Sequence, residues 1–250
     1  MTKANRQQVH TLRSPPGWCL LLGLAAGLAT HADAGTIERI SVSSGQYQLQ
    51  GSLCIPAGKG PFPAVVYHHG GLGRRIGGAP EDTCSALAAN SFVGIALIRR
   101  PTRPLTGHLD DANAAVDYVK KLPGVDPQRI GVIGFSRGAL LTWQQAAGRR
   151  DLSAVVIMAP AVNSALSLKD ASRINVPVFV LVAENDTGSK YTRNRDTLRF
   201  TQRLIGALEQ AGRDVRTIIY PAYQPEGHSL FFKVRKQYWT DVIRFLKSTL

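Results

Sequence analysis

The 250-residue sequence contains three cysteines and two methionines, and its longest apolar run is the twelve residues Trp18–Ala29. Three cysteines are too few for a disulfide-dense scaffold. Twelve apolar residues are too few for a spanning helix, which needs about 20. Acids are scarce as well, 17 against 30 lysines and arginines, giving a net charge of +13. Such a balance raises nucleic acid, membranes or acidic substrates as partners. The cations, however, fall in scattered pairs (Arg74-Arg75, Arg99-Arg100, Lys120-Lys121, Arg149-Arg150), with no basic stripe interleaved with aromatics. No nucleic-acid partner is expected; a generally basic surface is. The glycine-rich stretch "GLGRRIGG" has Ile76 where a dinucleotide fingerprint needs its third glycine, and no G-K-[ST] follows it. Neither phosphate-cradling motif is therefore present.

What is present begins with a leader. Lys3, Arg6 and Arg13 precede the apolar run, and Ala32-x-Ala34 follows it. That order predicts a secretory signal peptide over residues 1–34 and an exported, periplasmic or secreted product with no stable membrane insertion. Its removal would leave two cysteines, Cys54 and Cys84. In an oxidising compartment these would close a loop of about 30 residues; two buried free thiols are the alternative.

From residue 35 on, short apolar runs alternate with longer amphipathic ones. "TIERISVS" and "QYQLQGSLCIP" alternate in period two, as a hairpin with one exposed face does. "FPAVVYHHG", "FVGIALIRRP", "RIGVIGF", "LSAVVIMAP", "VPVFVLVAEND" and "DVRTIIYP" read as strands. Helices are expected over "PEDTCSALAANS", "HLDDANAAVDYVKKLPG", "RGALLTWQQAAGRR", "TRNRDTLRFTQRLIGALEQAG" and "LFFKVRKQYWTDVIRFLKSTL". This alternation predicts one α/β domain over 35–250: a mostly parallel sheet of about eight strands with helices on both faces.

One hydroxyl interrupts the pattern where a strand gives way to a helix. Gly134-Phe135-Ser136-Arg137-Gly138 is a G-x-S-x-G sequence in the setting a nucleophile elbow requires. A serine at neutral pH needs a base, and the base needs an orienting acid. In the chain order Ser…Asp/Glu…His, His228 of "PEGHSLF" is the histidine that follows the serine. Asp186 of "AENDTGS" is the expected acid, with Glu184 as the fallback. Backbone N–H groups of Arg137 and of Gly71 or Leu72 are the expected oxyanion donors. The adjacent His68 and His69 alternate across a strand and have no third ligand at metal spacing, so neither metal nor cofactor is expected.

Taken together, "HHGG", "GFSRG", "END" and "GH" in this order resemble the α/β-hydrolase superfamily, in its dienelactone-hydrolase-like branch. The resemblance spans roughly residues 47–248. It implies a Ser136–Asp186–His228 triad cleaving carboxyl-ester or related acyl bonds of a small or medium substrate through an acyl-enzyme. Ser136 departs from the cysteine that dienelactone hydrolases carry, which turns the expectation toward general carboxyl esters. The short link between "MAP" and "INVPVF" leaves no room for a large lid. His69, Arg74 and Arg100 are expected in substrate loops at the catalytic edge, where cations would attract an acidic substrate. A prolyl-oligopeptidase-like peptidase and a non-catalytic binding protein on the same scaffold are the alternatives. The sequence does not specify an oligomeric state.

Overall fold

The computed structural model describes residues 35–72, 75–103 and 105–250. The leader at 1–34 and Arg74 lie outside these. The first two strands, β1 (Thr36–Ser44) and β2 (Tyr47–Ile55), form the expected antiparallel hairpin. Next come β3 (Phe62–His68), a small hairpin of β4 (Gly70–Leu72) and β5 (Arg75–Gly77), α1 (Pro80–Ala88) and β6 (Val93–Leu97). The middle of the chain is α2 (His108–Val119), β7 (Val125–Phe135), α3 (Arg137–Gly148) and β8 (Ala154–Met158). The remainder is β9 (Val178–Ala183), α4 (Thr197–Gln210), β10 (Val215–Tyr220) and α5 (Lys236–Thr249).

Eight strands form one sheet in the order β1-β2-β6-β3-β7-β8-β9-β10. From β6 to β10 every pairing is parallel. Parallel strands need helical crossovers, and these cover both faces. Side chains alternate between the two layers: Val66, Ile95 and Val132 meet α2, α3 and α4, whereas Val65, Ala96 and Ile133 meet α1 and α5. Every residue of β8 and β9 is buried, which explains their unbroken apolar sequences. Each fully buried branched side chain contributes roughly 1.5–3 kcal/mol of transfer free energy before entropy is charged against it.

Three local expectations change. The loop after β3 folds back as the β4/β5 hairpin, built from three-residue strands too short to leave a periodic signal. The helix expected from residue 192 starts at Thr197, where the Asp196 carboxylate accepts the Arg199 N–H at 2.8 Å. Before it, Arg193 and Asn194 both take φ of 56°, which no right-handed helix contains. The last helix starts at Lys236 rather than near residue 230, because Gly227–Phe232 forms a separate 3₁₀ turn and Lys233 and Arg235 are extended.

Cys54 on β2 and Cys84 on α1 are joined as a disulfide, with Cα atoms 5.6 Å apart. No helix among the described residues is long and apolar enough to cross a membrane. Because β3, β7 and β9 run parallel, the segments following His68, Phe135 and Ala183 emerge together at one edge of the sheet, where sites of open α/β folds form.

Candidate active site

Ser136 ends β7 and caps α3 with φ 54° and ψ −113°, a conformation that a non-glycine residue holds only when its surroundings dictate it. Its N–H donates to the Met158 carbonyl at 2.9 Å, and its carbonyl accepts from Ala161 N–H at 3.0 Å. The flanking glycines are steric requirements. A Cβ on Gly138 would collide with the His68 carbonyl, and one on Gly134 with the Gly138 carbonyl and the Thr142 hydroxyl. The turn thus lifts the hydroxyl off the sheet while burying the backbone around it.

His228 lies on the 3₁₀ turn, its main-chain N–H held by the Glu226 carboxylate at 3.1 Å. Its Nδ1–H donates to Asp186 Oδ2 at 2.8 Å. That bond leaves Nε2 as the acceptor for the Ser136 hydroxyl, 3.0 Å away. Both the imidazole and the carboxylate are buried, and Phe135 packs on the imidazole with ring centroids 4.9 Å apart. Glu184, the fallback acid, instead accepts the Ala222 N–H at 2.9 Å beyond β10.

Two loops must meet for this to happen, and Asn185 fastens them. Its side-chain amide donates to the Tyr223 carbonyl and its oxygen accepts the Tyr223 N–H, both at 2.9 Å. Gly227 permits the close approach, since a Cβ there would press on Asp186 N and on Asn185. In the sequence Asn185 reads as a turn former beside the acid and as the first residue of an Asn-Asp-Thr glycosylation sequon, neither of which points to this clasp.

The loop after β3 passes directly over the serine. A Cβ on Gly70 would sit 3.1 Å from that of Ser136. Arg99, 6% exposed, holds this loop from behind: Nη1 donates to the His69 carbonyl at 2.6 Å and Nη2 to the Gly71 carbonyl at 3.4 Å. The Arg99 main-chain N–H donates to His69 Nε2 at 3.3 Å, so the ring proton sits on Nδ1, which donates to the Gly70 carbonyl at 2.6 Å. Three successive carbonyls are therefore engaged on the buried side. Burial, followed by the charge of Arg99, lowers the His69 pKa to about 3. Burial lowers His68 to about 4, and its Nε2–H donates to Gln145 Oε1 at 2.6 Å.

A cleft of about 810 Å³ opens onto this arrangement, with Gly71, Ser136, Arg137 and His228 in its wall. Of the three residues expected in substrate loops, Arg74 lies outside the described residues and the other two face inward. His69 is buried behind the loop. Arg100 donates to Asp111 from its main chain (2.8 Å) and guanidinium, and to Ser44 Oγ at 2.8 Å. Among the described residues the cations that line the cleft are Arg137, Lys190, Arg193 and Arg195; of these only Arg137 belongs to the G-x-S-x-G motif, where its backbone N–H is the expected donor. Leu72 lies opposite Arg75 in the β4/β5 hairpin. Among the described residues no cluster of three or more His, Cys, Asp or Glu side chains is placed to hold a metal ion.

The fold and site can be set beside known proteins. The dienelactone hydrolase family model matches residues 98–250, more than half of the chain. Acyl-coenzyme A thioesterase 6 of Mus musculus is 31% identical over 142 residues, covering 54% of this chain and 32% of that protein. The chain spans about a third of the length of the curated relatives it matches. The esterase of Pyrobaculum calidifontis superposes with a TM-score of 0.67 at 18% identity, over 85% of this chain and 84% of that one. Porphyromonas gingivalis dipeptidyl peptidase 4 superposes at 0.69 and 18% identity, over 87% of this chain but 36% of the peptidase. At these identities the structures share the fold alone.

Proposed function

The chain belongs to the dienelactone hydrolase family, and on that premise we propose that it is an exported serine hydrolase cleaving carboxyl-ester or thioester bonds of small or medium substrates. The observation that carries this reading is the unbroken chain Ser136 Oγ–His228 Nε2 (3.0 Å) and His228 Nδ1–Asp186 Oδ2 (2.8 Å), set on a strained turn at the mouth of a cleft.

The chemistry follows from that geometry. His228 Nε2 takes the Ser136 proton as Oγ attacks the substrate carbonyl. The negative charge moving onto the carbonyl oxygen meets the N–H of Arg137. As the first residue of α3, Arg137 has no intrahelical acceptor for it. Gly71, held by Arg99 through its carbonyl, supplies the second N–H. Collapse of the tetrahedral adduct breaks the bond to the alcohol or thiol, which leaves with the proton from His228. Water then gives a proton to His228 Nε2 and attacks the acyl-serine, and a second collapse releases the acid and restores the hydroxyl. Asp186 fixes the tautomer throughout and stabilises the imidazolium. Esterase and thioesterase names among the similar proteins support the acyl chemistry.

A panel of 4-nitrophenyl esters, acyl thioesters and 4-nitroanilides, run on wild type and Ser136→Ala, tests the reading. Hydrolysis of esters or thioesters that disappears in the variant is expected. Activity that persists in Ser136→Ala removes the serine from its role, and cleavage of anilides alone points to a peptidase.

A further inference from the structure

Arg137 contributes more to the cleft than its main chain. Its Nη1 is buried and has no hydrogen-bond partner among the described residues. A buried guanidinium nitrogen without a partner forfeits hydration that a neutral contact does not restore. No carboxylate among the described residues offsets this: they place no aspartate or glutamate in the cleft wall, and none of Arg137, Lys190, Arg193 and Arg195 enters a described ion pair. Arg137 and Arg193 repel one another instead, and burial together with that repulsion pushes the Arg137 pKa down. Arg193 is held at φ 56° in the segment that delays α4. The cationic wall runs on through Arg195 into an adjoining groove of about 430 Å³, where Lys169 and Arg203 stand. An unpaired, buried guanidinium donor with three further cations on the same wall favours an anion bound between them.

We propose that Arg137, Arg193 and Arg195 form an anion subsite beside Ser136, which takes a carboxylate or phosphate group borne by the ester or thioester substrate. Ile76, Tyr191 and Phe232 on the same cleft give the remainder of the substrate an apolar surface. The subsite rests on the serine-hydrolase reading for its placement beside the scissile bond, but its existence can be tested separately.

The test compares kcat/KM for matched substrates. The monoglutarate ester of 4-nitrophenol is set against its neutral valerate, and butyryl-coenzyme A against S-butyryl-N-acetylcysteamine. Preference for the charged member of at least one pair by about tenfold or more is expected, as for one charge-assisted contact. It should shrink in ~0.5 M salt and fall by a similar factor in Arg193→Gln and Arg195→Gln, with the fold checked by circular dichroism. Lys247→Gln serves as a charge control. Lys247 is exposed on α5, whose neighbouring Leu246 and Leu250 pack at Gly131, toward the opposite end of β7 from Ser136. A glutarate preference places the anion on the acyl side, and a coenzyme A preference places a phosphate on the leaving group. Ser136-dependent hydrolysis with no preference in either pair overturns the subsite and leaves the serine reading intact. If no ester or thioester is cleaved, calorimetric titration of Ser136→Ala with the glutarate ester and with inorganic phosphate decides. Heat that is lost in Arg193→Gln upholds the subsite without the hydrolase, and its absence overturns both.

Discussion

His69 and Arg99 fix each other: the Arg99 main-chain N–H donates to the imidazole at 3.3 Å while its guanidinium donates to the His69 carbonyl at 2.6 Å. Through this pair the peptide groups over Ser136 have their carbonyls turned to the interior. Arg99→Gln is expected to lower kcat at least tenfold with a much smaller change in KM, because the loop's donors matter most when charge develops. It also leaves loop carbonyls unsatisfied, at about 1–3 kcal/mol each if they stay buried. Steady-state kinetics beside urea unfolding checks both. An unchanged kcat would show that the loop needs no such support.

The two candidate acids separate cleanly. Asp186→Asn keeps the shape but not the charge or the tautomer, and a kcat loss on the order of 10³–10⁴ is expected. Glu184→Gln changes only a group that accepts the Ala222 N–H, so kcat within about twofold of wild type is expected for an exposed substitution of this kind. The reverse ranking would move the acid to Glu184.

His68 and His69 couple folding to pH. Both are held neutral when folded, with pKa values near 4 and 3, against 6.5 for the free side chain. Between these limits the unfolded chain binds more protons, so stability is full above about pH 6.5 and falls as the pH drops toward 4. Between pH 7 and 5 the loss is about 2 kcal/mol for each histidine. Urea unfolding at these two values measures it, and substituting His68 by Gln is expected to remove about half of the slope. A stability flat from pH 7 to 5 would contradict the buried neutral state.

Cys54 and Cys84 are both fully buried, and their bridge closes a separation of 30 residues. Alkylation under native conditions is expected to leave Cys54 and Cys84 unmodified even with reductant, whereas reduction in denaturant frees both thiols. The Cys54→Ala/Cys84→Ala protein is expected to lose about 3–4 kcal/mol in urea unfolding. Intact mass of the protein made in a host with an export pathway reads the bridge, and also whether residues 1–34 have been removed.

The parts legible in the sequence are those dictated locally. β8 and β9 are buried on both faces and so carry no polar residue to blur them. Gly134 and Gly138 are needed wherever a strand turns this sharply into a helix, which made Ser136 visible. The cleft's charge was not legible. Arg99 and Arg100 stand at the carboxyl edge by sequence but turn inward to loop carbonyls and to Asp111, while Arg193 and Arg195 sit in a polar run that continues the helical pattern. The left-handed backbone at 193–194 is what diverts them. Phe231 and Phe232 likewise look like a helix face, yet they pack around Phe135 beside the turn that carries His228.

The most direct measurement is covalent: incubation with a fluorophosphonate, whose phosphorus an activated serine attacks with loss of fluoride, followed by intact mass and peptide mapping. A single adduct on Ser136, absent from Ser136→Ala and formed far more slowly by His228→Ala, is the expected result. Ester or thioester hydrolysis by a protein that forms no adduct at Ser136, or forms one elsewhere, would contradict the account.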